Sequence, residues 1–192
     1  MPAARRPAKP PDEASLHEAA LAYLAQYAAT QATLQRVLDR RVDRWARAQG
    51  HELDAGEVAE ARRLVSTVVA RLAAAGAVDD AAFAVARART LTRAGHSQRA
   101  VTAYLAAKGV AGETARAALP SGEDAELAAA VALAARRRIG PFRRPDAVPD
   151  EALRMRERGV LARAGFAQSV ASRALVMERD EAENLLHRLR RG

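Results

Sequence analysis

Cationic side chains dominate one stretch of the chain, between residues 81 and 120. The stretch holds six cations and a single acid, Glu113, which gives it a net charge of +5. With so few carboxylates to pair with, these side chains are expected to direct positive charge outward. Guanidinium and ammonium groups bind phosphate and carboxylate oxygens, so this segment favours recognition of an anionic partner. The alternative is a solvated face that arginine keeps soluble.

Further arginines later in the chain extend this cationic set. The candidate residues for binding a protein partner or DNA are Arg87, Arg89, Arg93, Arg99, Lys108, Arg136, Arg137, Arg138 and Arg163. The run from Arg136 to Arg138 also has a structural explanation, because bases near a helix C-terminus complement the helix dipole. The arginines of the C-terminal segment, from Arg188 on, lie beyond the repeats described below and are expected to matter less.

Arg87 is the candidate whose position is least typical of a solvent-exposed cation. It follows Phe83 by one helical turn and therefore falls inside an apolar stripe. A long cationic side chain at such a position either extends out of the stripe along its aliphatic stem or lies where another surface meets the helix.

No set of residues favours catalysis or metal binding. The chain has no cysteine, which excludes thiolate nucleophiles and cysteine-based zinc sites. Its four histidines are scattered, and Asp79 and Asp80 lie where helix capping explains them better than acid–base catalysis. No glycine-rich loop follows a strand. The sequence therefore predicts a non-enzymatic protein without a metal or cofactor.

The elements that must position the cations are helices, because one short pattern occurs three times. Residues 72–76, 105–109 and 161–165 each begin with Leu-Ala and end with glycine. When residues 105–119 are laid on 161–175, seven of fifteen positions coincide. A glycine after an apolar-periodic run is typical of a left-handed helix end. Small helical units that recur must stack to bury their apolar faces. The alternative is that alanine-rich helices resemble one another by composition alone.

Several residues carry the signals that begin helices. Capping residues are predicted at Ser15, Thr30, Asp54, Asp80 and Ser97. The proline-rich stretch from Gly140 to Pro149 is predicted to be a loop, because proline excludes helix and lacks a backbone donor.

These patterns predict an all-α fold in which small helical units stack into a curved module. The predicted boundaries are a disordered basic arm at 1–14, a first repeat at 15–78, a second at 79–120, and a third repeat with a C-terminal helix at 121–192. With 4% aromatic residues, the core must consist of Leu, Val and Ala. Neither a run of 18 apolar residues nor a secretory signal occurs, so the protein is expected in the cytoplasm, away from membranes.

Three motifs of the second predicted repeat resemble the bacterial RecX family of recombination regulators. They are Asp79-Asp80-Ala-Ala-Phe83-Ala84, then Gly95-His-Ser97-Gln-Arg99-Ala-Val101, then Leu105-Ala-Ala-Lys108-Gly109-Val110. Residues 20–24 look like the start of the family's first repeat, and residues 161–166 like part of its third. The resemblance covers about residues 16 to 176.

What the resemblance implies is a set of tandem three-helix repeats that form an elongated, curved module, and a protein that lies in the helical groove of the RecA–DNA filament. Members of the family inhibit RecA by blocking filament growth or promoting disassembly, and they can contact DNA. The resemblance thus implies a role in DNA recombination and repair, including the SOS response, for a non-enzymatic protein expected to be a monomer. The basic second repeat agrees with this, since a filament that carries DNA attracts positive charge.

A stand-alone helical DNA-binding regulator is the alternative function. It would place one helix of the fold in the major groove. Against it, the arginines are spread over successive units and do not cluster on one recognition helix beside Asn, Gln and Ser.

Overall fold

A computed structural model describes residues 9–49, 54–121, 123–144 and 150–191. Within these ranges the chain is all-helical, which confirms the predicted fold class; it contains no strand and, besides a 3₁₀ turn at Gly140–Phe142, ten α-helices. They are α1 (Glu13–Leu24), α2 (Gln31–Gln49), α3 (Ala55–Ala74), α4 (Asp80–Arg93), α5 (Gln98–Ala107), α6 (Gly112–Ala117), α7 (Glu123–Arg137), α8 (Glu151–Arg163), α9 (Gln168–Val176) and α10 (Arg179–Arg191). Most of the predicted arm at 1–14 and half of the predicted loop, residues 145–149, lie outside the described residues.

The chain divides into two compact units. The first contains the residues up to Phe83 together with Lys108–Val110, and the second contains Ala84–Ala107 and the residues from Ala111 on. The division falls within α4. The repeat boundaries proposed from the sequence stay a prediction.

The core of the first unit lies among α1, α2 and α3. On α2 the buried residues are Leu34, Leu38, Val42 and Trp45, spaced by three and four positions, so that they share one helical face. The apolar stripe of α3 packs against them. Each fully buried leucine or valine contributes about 1.5–3 kcal/mol relative to an exposed one. Aliphatic side chains thus form this core, with Trp45 at its margin.

The core of the second unit joins α7, α8, α9 and α10. Alanines make up much of the buried face of α7, which lets the neighbouring helices approach closely. The C-terminal helix α10 packs on α7 through Ala182 and Leu185. It is therefore part of this core and does not form a tail beyond it.

A buried ion pair holds the residues after the 3₁₀ turn against α8. The Glu157 carboxylate is buried, and Arg143 donates to both of its oxygens, with 2.9 Å between Nε and Oε1. This hydrogen bond to Glu157 raises the pKa of Arg143. Removing one partner of such a pair leaves the other charge uncompensated, which costs about 3–5 kcal/mol.

Three of the predicted helix caps are confirmed. The side chain of Thr30 accepts a hydrogen bond from the Thr33 backbone, and that of Asp54 accepts one from Gly56. Ser97 accepts one from the Ala100 backbone.

Two predicted caps are wrong by a few residues. Asp12, not Ser15, begins α1, because its carboxylate accepts the Ser15 backbone N–H while the Ser15 hydroxyl donates to the Asp12 carbonyl. Asp79, not Asp80, caps α4 by accepting from two backbone N–H groups. In both cases the structure uses an aspartate upstream of the predicted residue.

A buried hydroxyl at the start of α2 bonds to a backbone carbonyl that is distant in sequence. Thr30 is fully buried, and its Oγ1 donates to the Lys108 carbonyl over 2.6 Å while capping α2. The next backbone N–H, that of Gln31, donates to the Asp80 carboxylate over 2.8 Å. Gly109, at φ +83°, packs against Ala32 so closely that a Cβ there would overlap the alanine methyl.

The start of α5 repeats this arrangement. Ser97 is fully buried, and its Oγ donates to the Ala164 carbonyl over 2.7 Å while capping α5. The next N–H, that of Gln98, donates to the Glu126 carboxylate over 2.9 Å. Gly165, at φ +91°, follows the accepting carbonyl and lies against the serine. We call these two arrangements the helix-end junctions.

The second junction predicts the effect of a methyl group at Gly165. Gly165→Ala should lower the free energy of unfolding by about 2 kcal/mol, because alanine is strained in the left-handed region and its Cβ would lie 2.8 Å from Ser97 Oγ. Gly112→Ala is the matched control, since that glycine begins α6 and a Cβ there meets open space. Urea unfolding measures both. Equal stability of the two variants would contradict the junction.

Glu126 gives the same junction a pH dependence. Burial raises the pKa of Glu126, and the Gln98 N–H opposes that shift. An acid whose folded pKa is raised binds protons more tightly when folded, so its contribution favours folding at low pH and is lost as pH rises through the folded pKa.

Glu126→Gln keeps an acceptor for Gln98 and removes this titration. We expect the variant to gain stability relative to the parent chain as pH rises above the ordinary glutamate value of 4.5. Urea unfolding of both chains at a series of pH values measures the difference. A stability difference that does not change with pH would contradict the assignment.

Candidate arginine-lined site

Three neighbouring grooves on the second unit are lined by arginine. The first, of about 400 Å³, lies beside α4, the residues after α6, and α10; its cations are Arg89, Arg93 and Arg188. Val85, Leu119 and Leu189 contribute its apolar wall.

The second and third grooves continue from the first. The second, of about 380 Å³, shares Arg93 and Leu189 with the first and adds Arg136 and Arg190. The third, of about 480 Å³, shares Arg136 with the second. It adds Arg137 and Arg163 and is also lined by His96. We call the seven lining arginines the arginine face; they are Arg89, Arg93, Arg136, Arg137, Arg163, Arg188 and Arg190.

The arginine face has no compensating acid among the described residues that line it. Within the described part of the chain, none of the seven arginines forms an ion pair, and Arg93 donates its Nε to the Leu189 carbonyl over 3.3 Å. Seven uncompensated guanidinium groups repel one another and attract a polyanion. Grooves of this kind fit a chain of phosphates or carboxylates.

The structure brings together five of the nine residues predicted from the sequence. They are Arg89, Arg93, Arg136, Arg137 and Arg163. Arg99 lies near the third groove, since its side chain flanks Gly165 at the end of α8.

Four of the nine predicted cations do not line these grooves; they are Arg87, Arg99, Lys108 and Arg138. Lys108 groups with the first unit, where its carbonyl accepts from Thr30. Arg87 is exposed on α4, which agrees with the first alternative given for it, a side chain that extends out of the apolar stripe. The residues on either side of Arg87 on the helical wheel, Phe83 and Ala84, are both buried.

Arg188 and Arg190 are the members of the face that the sequence did not indicate. Because α10 packs on α7, these side chains lie beside Arg93 and Arg136. The sequence does contain a signal that α10 packs against the core. Leu185 and Leu189 are four positions apart and so lie on one apolar face of the helix.

Arg138 holds an unusual backbone conformation next to the face. It is the residue that follows α7 and has φ 55°, and apart from glycines it alone has a positive φ among the described residues. The backbone N–H groups of Arg138 and Ile139 donate to Ala135 and Ala134, a common hydrogen-bond pattern at helix ends. Three other helix ends with this pattern have glycine at the same place: Gly76, Gly95 and Gly165.

The described residues contain no group of three His, Asp or Glu side chains that could hold a metal ion. Over the same residues, no helix combines the length and apolar character that crossing a membrane requires.

Comparison with known proteins places the chain in a family. A family model described as RecX, second three-helix domain, matches residues 79–119. The regulatory protein RecX of Myxococcus xanthus (strain DK1622) is 40% identical over 162 residues, which cover 83% of each chain. This chain belongs to the RecX family. The regulatory protein RecX of Agrobacterium fabrum is 41% identical over 110 residues, covering 57% of this chain and 58% of the other.

The fold agrees with that membership. A crystal structure of RecX from Lactobacillus salivarius superposes with a TM-score of 0.60 at 18% sequence identity, covering 90% of this chain and 97% of that one. The helical-repeat architecture is therefore shared. Both relatives with closer sequences are named regulatory proteins.

Arg138 allows stability and binding to be separated. Arg138→Gly should raise the free energy of unfolding by about 1 kcal/mol, because glycine adopts the left-handed region without the strain that a side chain incurs. If Arg138 contributes to the cationic surface, the same variant binds a single-stranded oligonucleotide more weakly.

Thermal unfolding and fluorescence anisotropy measure the two effects of Arg138→Gly. Arg144→Gly, at an exposed arginine outside the three grooves, is the control for charge. A variant that is more stable and binds as tightly as the parent chain would show that Arg138 only terminates α7.

Proposed function

We propose that the chain is a non-enzymatic modulator that inhibits RecA–DNA filaments. It binds in the filament groove and blocks growth or promotes disassembly. Membership of the RecX family supports this, because the relatives are named regulatory proteins. In this proposal it acts in the cytoplasm as a monomer, through contact with both RecA and DNA phosphates.

The arginine face is the observation that carries the proposal. A filament that contains DNA presents closely spaced phosphates, and seven uncompensated arginines on one unit are complementary to them. Each phosphate contact contributes about 0.7 to 0.9 to the slope of log affinity against log salt. Binding through this face should therefore weaken steeply as salt rises and should depend little on base sequence.

The alternative, a stand-alone DNA-binding regulator, uses the same cations without RecA. The arginines lie on α4, α7, α8 and α10 and do not concentrate on one helix. A single recognition helix in the major groove would need its base-contacting side chains together. The distribution of cations therefore favours contact with a phosphate backbone.

Replacing Arg89, Arg136 and Arg163 with alanine tests the proposal. Each removes an unpaired cation from a different helix of the face, so half-inhibition of RecA ATP hydrolysis on single-stranded DNA should need a roughly tenfold or higher concentration of the variant. The helix content, measured by circular dichroism, should not change.

The matched control replaces Arg116, Arg144 and Arg156, which are exposed cations of the same unit outside the three grooves. This variant has the same net charge and should inhibit as the parent chain does. An equal loss of inhibition in both variants would show that the effect depends only on net charge and not on the arginine face. If the parent chain binds DNA but leaves RecA activity unchanged, the alternative function replaces the proposal.

A further inference from the structure

A second cationic surface lies on α2, in the unit that does not carry the arginine face. The residues are Arg40, Arg41, Arg44 and Arg47, all exposed. Arg40, Arg44 and Arg47 are spaced by three and four positions and lie on the side of the helix away from Leu38, whereas Arg41 lies between that side and the buried face. We call these four residues the α2 stripe. The net charge of residues 16–80 is close to zero, because acids elsewhere in this segment offset the four arginines. The net charge of the segment therefore gives no sign of the stripe.

The acids of α2 do not neutralise the stripe. Asp43 pairs with Arg62 of α3 over 3.1 Å, and Asp39 accepts a hydrogen bond from Gln35. No member of the stripe forms an ion pair with any described residue. Arginines three and four positions apart repel one another and cost helix stability. A surface kept only for solubility would intersperse both signs, as the neighbouring helix does.

The neighbouring helix α3 provides that contrast within the same unit. Its three arginines all have an acidic partner: Arg62 pairs with Asp43, Arg63 with Glu60, and Arg71 with Glu13. Unpaired arginine is thus a property of α2 and not of the unit as a whole.

A cavity beside the stripe indicates what kind of anion fits. Arg41 and Arg44 line a cavity of about 440 Å³ whose wall includes Trp45. Lys9 and Asp12, which also line it, pair with each other over 3.1 Å and leave the two arginines to set its charge. Trp45 is 7% exposed, so its ring offers no platform for stacking bases. The contacts available to a ligand are guanidinium groups.

We propose that the α2 stripe is a second nucleic-acid-binding surface that contacts the phosphate backbone. From Arg40 to Arg47 the helix advances about 10 Å, which is room for several successive phosphates. Guanidinium groups bind phosphate oxygens in pairs, and without an exposed aromatic ring the surface does not distinguish base sequences. The chain therefore holds nucleic acid with both units. This inference does not require RecA and goes beyond the function proposed above.

The test measures binding of the full-length chain to a labelled single-stranded oligonucleotide across a range of salt, without RecA. The variant Arg40→Ala, Arg41→Ala, Arg44→Ala should bind more weakly, and its salt slope should be flatter by about 2, as expected for three lost phosphate contacts. Alanine favours helix, so circular dichroism should show unchanged helicity.

The control variant Arg63→Ala, Arg71→Ala, Arg144→Ala removes three arginines outside the stripe, of which the first two are already paired. Arg62 is kept, because its loss would free Asp43 on α2 beside the stripe. The control variant has the same net charge and should keep the parent slope. A lysine version of the stripe, with all three arginines changed to lysine, should also keep the slope, since the charges remain.

Three outcomes would overturn the inference. An unchanged slope in the stripe variant means that the stripe does not contact nucleic acid. Equal losses in the stripe and control variants mean that only net charge matters. Displacement of the oligonucleotide from the parent chain by polyglutamate as readily as by unlabelled DNA means that the surface prefers an acidic protein. Since RecA is absent, none of these results decides whether the chain inhibits RecA filaments.

Discussion

A hydroxyl buried at the start of a helix is the interaction on which this fold depends. Thr30 and Ser97 each donate to a carbonyl 67 or more positions away along the chain and accept from their own helix. A buried polar group must be fully satisfied, and a hydroxyl can donate and accept at once. Each hydroxyl therefore ties its own helix start to a distant backbone carbonyl with one side chain. The glycine that follows the accepting carbonyl allows the close approach, so hydroxyl and glycine constrain each other.

The sequence predicts those parts of the fold that local signals determine. Helix caps such as Thr30 and glycine ends such as Gly165 depend on residues within a turn, and most of them are located correctly. The partners of the junctions are not predictable in this way, because Asp80 and Glu126 accept from helices distant in sequence. The sequence favours Asp80 as the cap of α4, but in the structure its carboxylate accepts the Gln31 N–H instead. Local signals also failed to indicate Arg188 and Arg190, because their place in the arginine face depends on the packing of α10 against α7.

The arginine face follows from the small residues beneath it. The buried side of α7 is largely alanine, so the neighbouring helices pack close to it. Because these helices pack closely, arginines from separate helices line the same grooves. Each helix alone carries only a few of these arginines. Two of these cations, Arg89 and Arg93, lie in the segment with a local excess of arginine over acid, and three more were named from the later sequence. The convergence of all five is a tertiary effect. Composition can therefore predict that such a surface exists, whereas only packing determines its members.

Buried helix starts and exposed helix starts have different kinds of capping residue. The two fully buried caps are hydroxyls, Thr30 and Ser97, whereas the exposed caps are carboxylates, Asp54, Asp79 and Asp150. An ionised carboxylate only accepts hydrogen bonds, so it cannot donate to the carbonyl of an incoming helix end, and burying it would cost its hydration. Asp150 begins α8 with its side chain accepting from Leu153 over 2.7 Å. A helix end could not dock there as one docks at Ser97. The type of capping residue thus decides whether a helix start can hold a backbone carbonyl from elsewhere in the chain.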